Sequence, residues 1–193
     1  MDLIILQEIH LLLEEAEDFL FKHRRVGSGE IVPSRGRSGG IMVLWKNKSL
    51  EVKCVYKDEQ CINCLIKQKN VRIFLVSGIY DSTNYMKRNE MWKMYKDLKM
   101  YHPWVIAGDM NCIRDSSDKL GGRDVTNSKA IRDFNSLIDE AGHMEVSFKG
   151  PKYTWTNNRK GNARVHARLD RVLVNSKWLD INMEMKEVHL QRV

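Results

Sequence analysis

Five residues carry the chemistry that this sequence suggests: Glu8, Tyr80, Asp109, Asn111 and Asp170. Each stands at or close to the end of an apolar run. Glu8 follows "LIIL" and Gln7, Tyr80 closes "LVSGIY", and Asp109 and Asn111 follow "VIAG". Asp170 sits in the alternating stretch "ARLDRVLVN", on the same side as Arg168 and Val172. Strand alternation likewise puts Asp109 and Asn111 on one side. A carboxylate beside a core is costly unless it is paired, hydrogen-bonded or bound to a cation. Glu8, Asp109 and Asp170 gathered at one rim would repel one another and raise one another's pKa. A divalent cation removes that penalty, and an all-oxygen donor set favours Mg2+ or Mn2+ over zinc. The competing reading leaves each acid on its own, capping a turn or pairing with one of the many arginines.

The elements that must position these residues are legible in outline. Leu3 to Leu6 is a continuous apolar run, as expected of a strand buried on both faces. Leu11 to Lys22 reads as a helix. "GGIMVLWKN" (39–47), "SLEVKCVY" (49–56), "CINCLIK" (61–67) and "VRIFLVSGIY" (71–80) read as consecutive strands of an antiparallel meander. From Asn84 to Met100 the period becomes helical, with Met91, Tyr95 and Leu98 on one side and Pro103 beyond the end. A buried strand then ends at Asp109. A second helix has Asn127 or Ser128 as its cap, Ile131, Phe134, Leu137, Ile138 and Ala141 as its face, and Gly142 as its stop. Short strands are expected at Lys152–Thr156, Leu169–Val174 and Met183–His189. This order predicts two sheets face to face with helices outside, a mixed α/β sandwich.

The 193 residues suffice for one domain with a substantial core, and no repeat or linker-like tract divides them. Lys and Arg outnumber Asp and Glu by 32 to 25, a formal charge of +7. Such an excess favours a polyanionic partner, although plain solubility also accounts for one of this size. Cys61 and Cys64 have the C-x-x-C spacing, but no second pair of Cys or His completes a zinc site, and the segment reads as a strand. Ordinary thiols in a reducing nuclear or cytoplasmic compartment are therefore expected. Near the start, Asp2 stands where a signal peptide needs a basic residue, and Gln7, Glu8 and His10 break the apolar run. Neither signal peptide nor membrane span is expected.

Six stretches, "DLIILQE", "SRGRSGGIMVLWKN", "SGIYDS", "WVIAGDMNCIRDSSDKLGGR", "YTWTN" and "RLDRVLVNSKW", follow the order seen in the endonuclease/exonuclease/phosphatase superfamily. That superfamily has the fold of pancreatic deoxyribonuclease and the apurinic endonucleases. The chain most resembles the endonuclease domain of plant LINE-type (non-LTR) retrotransposons, over nearly its whole length. The resemblance implies a four-layer α/β/β/α sandwich of two mixed sheets flanked by helices, a single domain over residues 1–193. It implies that Glu8 binds the metal, Asp109 orients the attacking water and Asn111 contacts the scissile phosphate. Tyr80 matches a phosphate-side tyrosine, and Asp170 matches an aspartate that orients a catalytic histidine. The implied reaction is hydrolysis of a phosphodiester assisted by Mg2+ or Mn2+, with DNA as the partner and no obligate protein partner. Arg35, Arg37, Lys152, Arg159, Lys160 and Arg164 fall in loops that could track a nucleic-acid backbone, with solvated surface as the alternative. Trp155 is a candidate to stack on the sugar–base surface, against the alternative of a buried packing tryptophan.

Two family signatures are not found: a "WN"-like strand ahead of "DLIILQE", and "SDH" after "VHLQRV". His166 and His189 do not match the second. The expectation is a fold incomplete at both termini with weak or absent cleavage, because one positioned general acid or base typically contributes about 10²–10⁴ in rate. Two other readings stay open. One is a non-catalytic nucleic-acid-binding module, on the charge and the basic loops. The other is a phosphatase of the same superfamily acting on inositol phosphates or sphingolipids, against which the retrotransposon-like segments argue.

Overall fold

Alternating and continuous apolar runs fold into two stacked sheets in the computed structural model, which describes residues 3–22, 27–35, 39–46, 50–68, 72–98, 101–125, 128–181 and 185–190. The chain opens with β1 (Leu3–Gln7), α1 (Leu13–Lys22), β2 (Ser28–Val32) and β3 (Ile41–Trp45). It continues through β4 (Leu50–Lys57), β5 (Cys61–Gln68), β6 (Arg72–Tyr80), α2 (Tyr85–Asp97), β7 (Trp104–Asp109) and β8 (Lys119–Leu120). After α3 (Lys129–Glu140) come β9 (His143–Glu145), β10 (Phe148–Lys149), β11 (Trp155–Thr156) and β12 (His166–Ala167). The last elements are β13 (Asp170–Asn175), α4 (Ser176–Asp180) and β14 (Glu187–Val188).

The smaller main sheet has the order β1-β3-β2, and its described strands run antiparallel. The larger is mixed, with the order β4-β5-β6-β7-β13-β9 and β6 parallel to β7. Between the two lie Ile41 and Val43 from one side and Ile62, Cys64, Ile66 and Val76 from the other. On the far face of the larger sheet, Leu75, Ile79, Trp104, Ile106 and Leu173 meet Met91, Trp92 and Tyr95 of α2 and Phe134, Leu137 and Ile138 of α3. α1 covers the outside of the smaller sheet, its Leu20 lying over Gly29. The layers therefore run α/β/β/α, the sandwich expected. No helix among the described residues is long and apolar enough to cross a membrane.

Local signals explain most boundaries. Ser128 caps α3 by accepting the Ile131 N–H, and Gly142 ends it at φ +65. Cys61 and Cys64 point to opposite faces of β5, one into each core, so the C-x-x-C spacing joins nothing, and all four cysteines are free. The expected four-strand meander is corrected: β3 is paired on both sides within the smaller sheet, so the chain crosses between sheets before β4. Only β4, β5 and β6 form a meander. β2 was not foreseen, because "SGEIV" is short and weakly apolar. The strand expected at Lys152–Thr156 contracts to Trp155–Thr156, and that at Met183–His189 to Glu187–Val188, with residues 182–184 outside those described, as are Arg37 and Asn127.

Gly108 is one of the tightest points of the frame. Its φ is +143, and a Cβ there would lie 2.0 Å from the Ile79 carbonyl oxygen and 2.1 Å from Gln7 Nε2. An alanine can be accommodated only if β7 moves away from β6 and from the end of β1. Gly108→Ala is expected to destabilise the protein by about 3 kcal/mol. A fall of roughly 6–12 °C in melting temperature by circular dichroism checks this.

Candidate active site

β7 has β6 parallel on one side and β13 antiparallel on the other. The registers set Tyr80 opposite Asp109, and Asp109 opposite Asp170, so three polar residues form one row across three strand ends. Residues in such a row project from the same face. Val76, four residues before Tyr80, belongs to the core between the sheets, so the row faces the smaller sheet. There β1 ends. The Gln7 side-chain amide donates to the Ile79 carbonyl, which anchors that end on β6. The Tyr80 hydroxyl then donates to Glu8 Oε1 at 2.8 Å. Gln7, Glu8, Tyr80, Asp109, Thr154, Trp155 and Asp170 line one cleft of about 130 Å³. Four of the five residues singled out in the sequence thus share a cleft.

Asn111 does not line it. β7 stops at Asp109, so alternation no longer governs the next residues; Asn111 takes a left-handed backbone, φ +42, that asparagine tolerates. Its N–H donates to Asp109 Oδ1 at 2.7 Å and its amide to the Asp81 carbonyl at 2.6 Å. Met110, between the two, is buried on the opposite face in the helix-covered core. Glu8 also has positive φ, +51, a strained conformation for a glutamate of the kind that accumulates at functional sites.

The electrostatics follow from the row. Burial, then the facing Asp170 and then Glu8 push the Asp109 carboxyl up to about 7, against a partial offset from the Asn111 N–H. Burial and the bond to Glu8 raise Tyr80 well above the usual phenol range, so it remains a neutral donor. Asp170 is held through its backbone: Thr154 Oγ1 accepts the N–H groups of Leu169 and Asp170, both at 3.1 Å. Arg168 precedes β13 and turns away from the cleft, its guanidinium 4.0 Å over the Phe148 ring. Arg171, on the opposite face of β13 from Asp170, is 1% exposed and pairs with Asp118 and Glu145. Burial pushes Glu145 upward, but Arg171, Arg114 and Arg168 around it hold its pKa below the usual range.

Sequence reading missed four supporting residues. Gln7 and Thr154 lie inside the quoted stretches "DLIILQE" and "YTWTN", but nothing marks their hydrogen bonds. Asp81 is fully buried, with its N–H on the Asp109 carbonyl at 2.8 Å and its carboxylate taking the Trp92 indole N–H at 2.8 Å. Arg88 lies beside it and donates to the Ser82 carbonyl at 2.6 Å. Arg88 stands three residues before Met91 and seven before Tyr95, so helical spacing puts it on the buried face, where a charged residue could have been noticed.

Trp155 is 38% exposed and lines both this cleft and a neighbouring one of about 540 Å³ with Tyr153, His166 and His189. The packing-tryptophan reading therefore does not hold. Arg159, Lys160 and Arg164 are exposed in the β11–β12 connection, where Arg164 Nε donates to the Arg159 carbonyl. Exposed Lys152 lies near the Tyr153 ring. Arg35 is exposed and reaches Glu59 at 3.2 Å. Arg37 lies outside the described residues. His189 has both ring nitrogens engaged, by the Pro151 carbonyl and by Glu187, and stacks on Phe148. His143 is packed on Trp104, and burial holds its pKa down to about 4.

Among the described residues, no group of three or more His, Cys, Asp or Glu side chains is close enough to hold a metal ion unaided. The donor chemistry still fits a hard cation. The cleft offers carboxylates and neither Cys nor His, and Mg2+ takes one or two carboxylates while keeping several waters.

The family model for endonuclease/exonuclease/phosphatase proteins matches residues 1–188. No curated protein matches the chain. Among solved structures, the endonuclease domain of TRAS1, a telomere-specific non-LTR retrotransposon, is similar in fold. The TM-score is 0.59 at 14% identity, over 79% of this chain and 69% of that one. With the sandwich, the strand-end row and a match along almost the whole sequence in agreement, the chain belongs to the endonuclease/exonuclease/phosphatase family.

Proposed function

We propose that the cleft between Glu8 and the Tyr80–Asp109–Asp170 row hydrolyses phosphodiester bonds in DNA, assisted by Mg2+ or Mn2+, and that it does so slowly. The convergence of those four side chains from both sheets carries the reading. Glu8, with a neighbouring carboxylate, would hold the cation, which when bound offsets the charge that builds on the phosphate and the leaving oxygen. Asp109 in its ionised form orients and deprotonates water beside the phosphate. Tyr80, neutral, would offer its hydroxyl to a phosphate oxygen on release of its bond to Glu8. Asn111 reaches the same phosphate only by leaving the Asp81 carbonyl. Slowness is supported by three of the described histidines, since His189 and His143 are committed elsewhere and His166 packs against Tyr153 in the neighbouring cleft.

The experiment is nicking of supercoiled plasmid. Slow nicking that requires Mg2+ or Mn2+ and disappears in Asp109→Ala is expected. Free imidazole at constant pH should raise the rate in proportion to its concentration, because it supplies the proton transfer that typically contributes about 10²–10⁴. A rate indifferent to the divalent cation and to Asp109 would rule the reading out. The binding-module alternative is favoured by the exposed Arg159, Lys160 and Arg164, and salt-sensitive DNA affinity with no nicking under any of these conditions would select it.

Stability gives an independent check. With its folded pKa near 7 against an ordinary 3.8, Asp109 keeps a proton in the folded state that the unfolded chain releases. Its contribution therefore becomes unfavourable as pH rises from about 4 to about 7 and stays so above. In EDTA, Asp109→Asn should raise the melting temperature at alkaline pH by roughly 8–16 °C, about 4 kcal/mol, and leave it nearly unchanged below about pH 4. Added Mg2+ should stabilise the wild-type protein above neutrality, and Glu8→Gln should remove that gain. Calorimetry at both pH values reads all three.

A further inference from the structure

A second cleft, of about 310 Å³, shares Tyr80 with the first and is lined by Arg35, Glu59, Gln60, Thr83 and Lys87 among others. Its chemistry is that of an anion site. Glu59 is shared by two cations, Lys87 Nζ at 2.6 Å on one oxygen and Arg35 at 3.2 Å on the other, so the trio keeps a net positive charge. The other acid lining the cleft, Asp81, has its carboxylate turned to Trp92, and burial drives its pKa upward, which weakens its opposition to an anion. α2 begins at this cleft and has no acidic residue in its first turn to offset the positive end of its dipole. The cleft is also built firmly. The Gln60 side chain accepts the Ser82 N–H and donates to the Lys87 carbonyl, which ties the β4–β5 turn to the start of α2.

We propose that this second cleft binds a non-scissile phosphate of the DNA strand whose scissile phosphate lies at Asp109, with Lys87 as its principal contact and Arg35 as the second. The assignment rests on the nuclease reading above and extends it. Tyr80 walls both clefts, so they adjoin, and successive phosphates of one strand could occupy the two. Lys87 would exchange its share of Glu59 for the phosphate, keeping its charge paired throughout. No sequence pattern marked Lys87, which appears there as one of several lysines spaced along a helix.

The test is fluorescence anisotropy of a labelled DNA duplex with the full chain in EDTA, across a salt series. Lys87→Gln should lower the magnitude of the slope of log K against log salt by about 0.9, the loss of one phosphate contact, and should do so for any duplex sequence. Lys87→Arg should keep the wild-type slope. Lys93→Gln, which removes an exposed charge of α2 outside both clefts, should also leave it unchanged. Lys87 is half exposed, so these variants are expected to fold, as circular dichroism will verify. Wild-type binding whose slope Lys87→Gln does not alter overturns the second cleft and leaves the nuclease reading standing. No DNA binding by the wild type removes both. Stabilisation of the wild type by inorganic phosphate that Lys87→Gln abolishes, with the DNA slope intact, assigns the cleft to a free phosphate and also overturns the proposal.

Discussion

Asp109 and Asp170 face each other across an antiparallel strand pair, and the backbone register fixes their Cα atoms as partners. Like charges directly opposite on a sheet are destabilising. The rest of the site is arranged around that repulsion. β6 brings Tyr80 into the same row by parallel pairing, and β1 delivers Glu8 from the other sheet through the Gln7 anchor on Ile79. Gly108 allows the close approach, since any side chain there would meet both the Ile79 carbonyl and the Gln7 amide. The fold thus holds three carboxylates and a phenol in one cleft, and burial first, then the facing Asp170 and Glu8, push the Asp109 carboxyl up to about 7.

What keeps β13 in place under that load is buried charge of the opposite sign behind it. Residues 170 and 171 point to opposite faces of the strand, so the acid in the cleft is backed by the Arg171 guanidinium within the protein. Arg171 joins Asp118, next to β8, to Glu145 of β9, while Arg114 and Arg168 also reach Glu145. Breaking such a buried set by removing one partner typically costs about 3–5 kcal/mol, because a charge is left uncompensated. The strained backbones of Glu8 and Asn111 stand at the two ends of the same arrangement, at the termini of β1 and β7. Strain, repulsion and a raised pKa coincide in one place, as is common at functional sites.

The layers were legible because periodicity reports burial directly. "IMVLW" is apolar throughout because β3 is central in its sheet, whereas "LEVKCVYK" alternates because β4 is an edge strand. The same contrast, read more strictly, would have separated β3 from the meander. Glu8, Tyr80, Asp109 and Asp170 were legible as polar residues ending apolar strands, but their convergence was not, since it depends on which strands are neighbours. Asn111 shows the limit of alternation, which holds only while the strand lasts. Lys87, Asp81 and Thr154 were invisible because their importance comes from partners 28, 11 and 15 or more positions away, at Glu59, Trp92 and the Leu169–Asp170 backbone.

Glu8, Asp109 and Asp170 line one cleft, and a divalent cation bound there would offset their mutual repulsion. The most direct measurement is the titration of the Asp109 carboxyl carbon by NMR, with and without Mg2+. The account predicts a midpoint near pH 7 in EDTA that moves down by more than about one unit when Mg2+ is added. A midpoint near 4 in EDTA, unmoved by Mg2+, would show that Asp109 feels neither Asp170 nor a cation, and would contradict it.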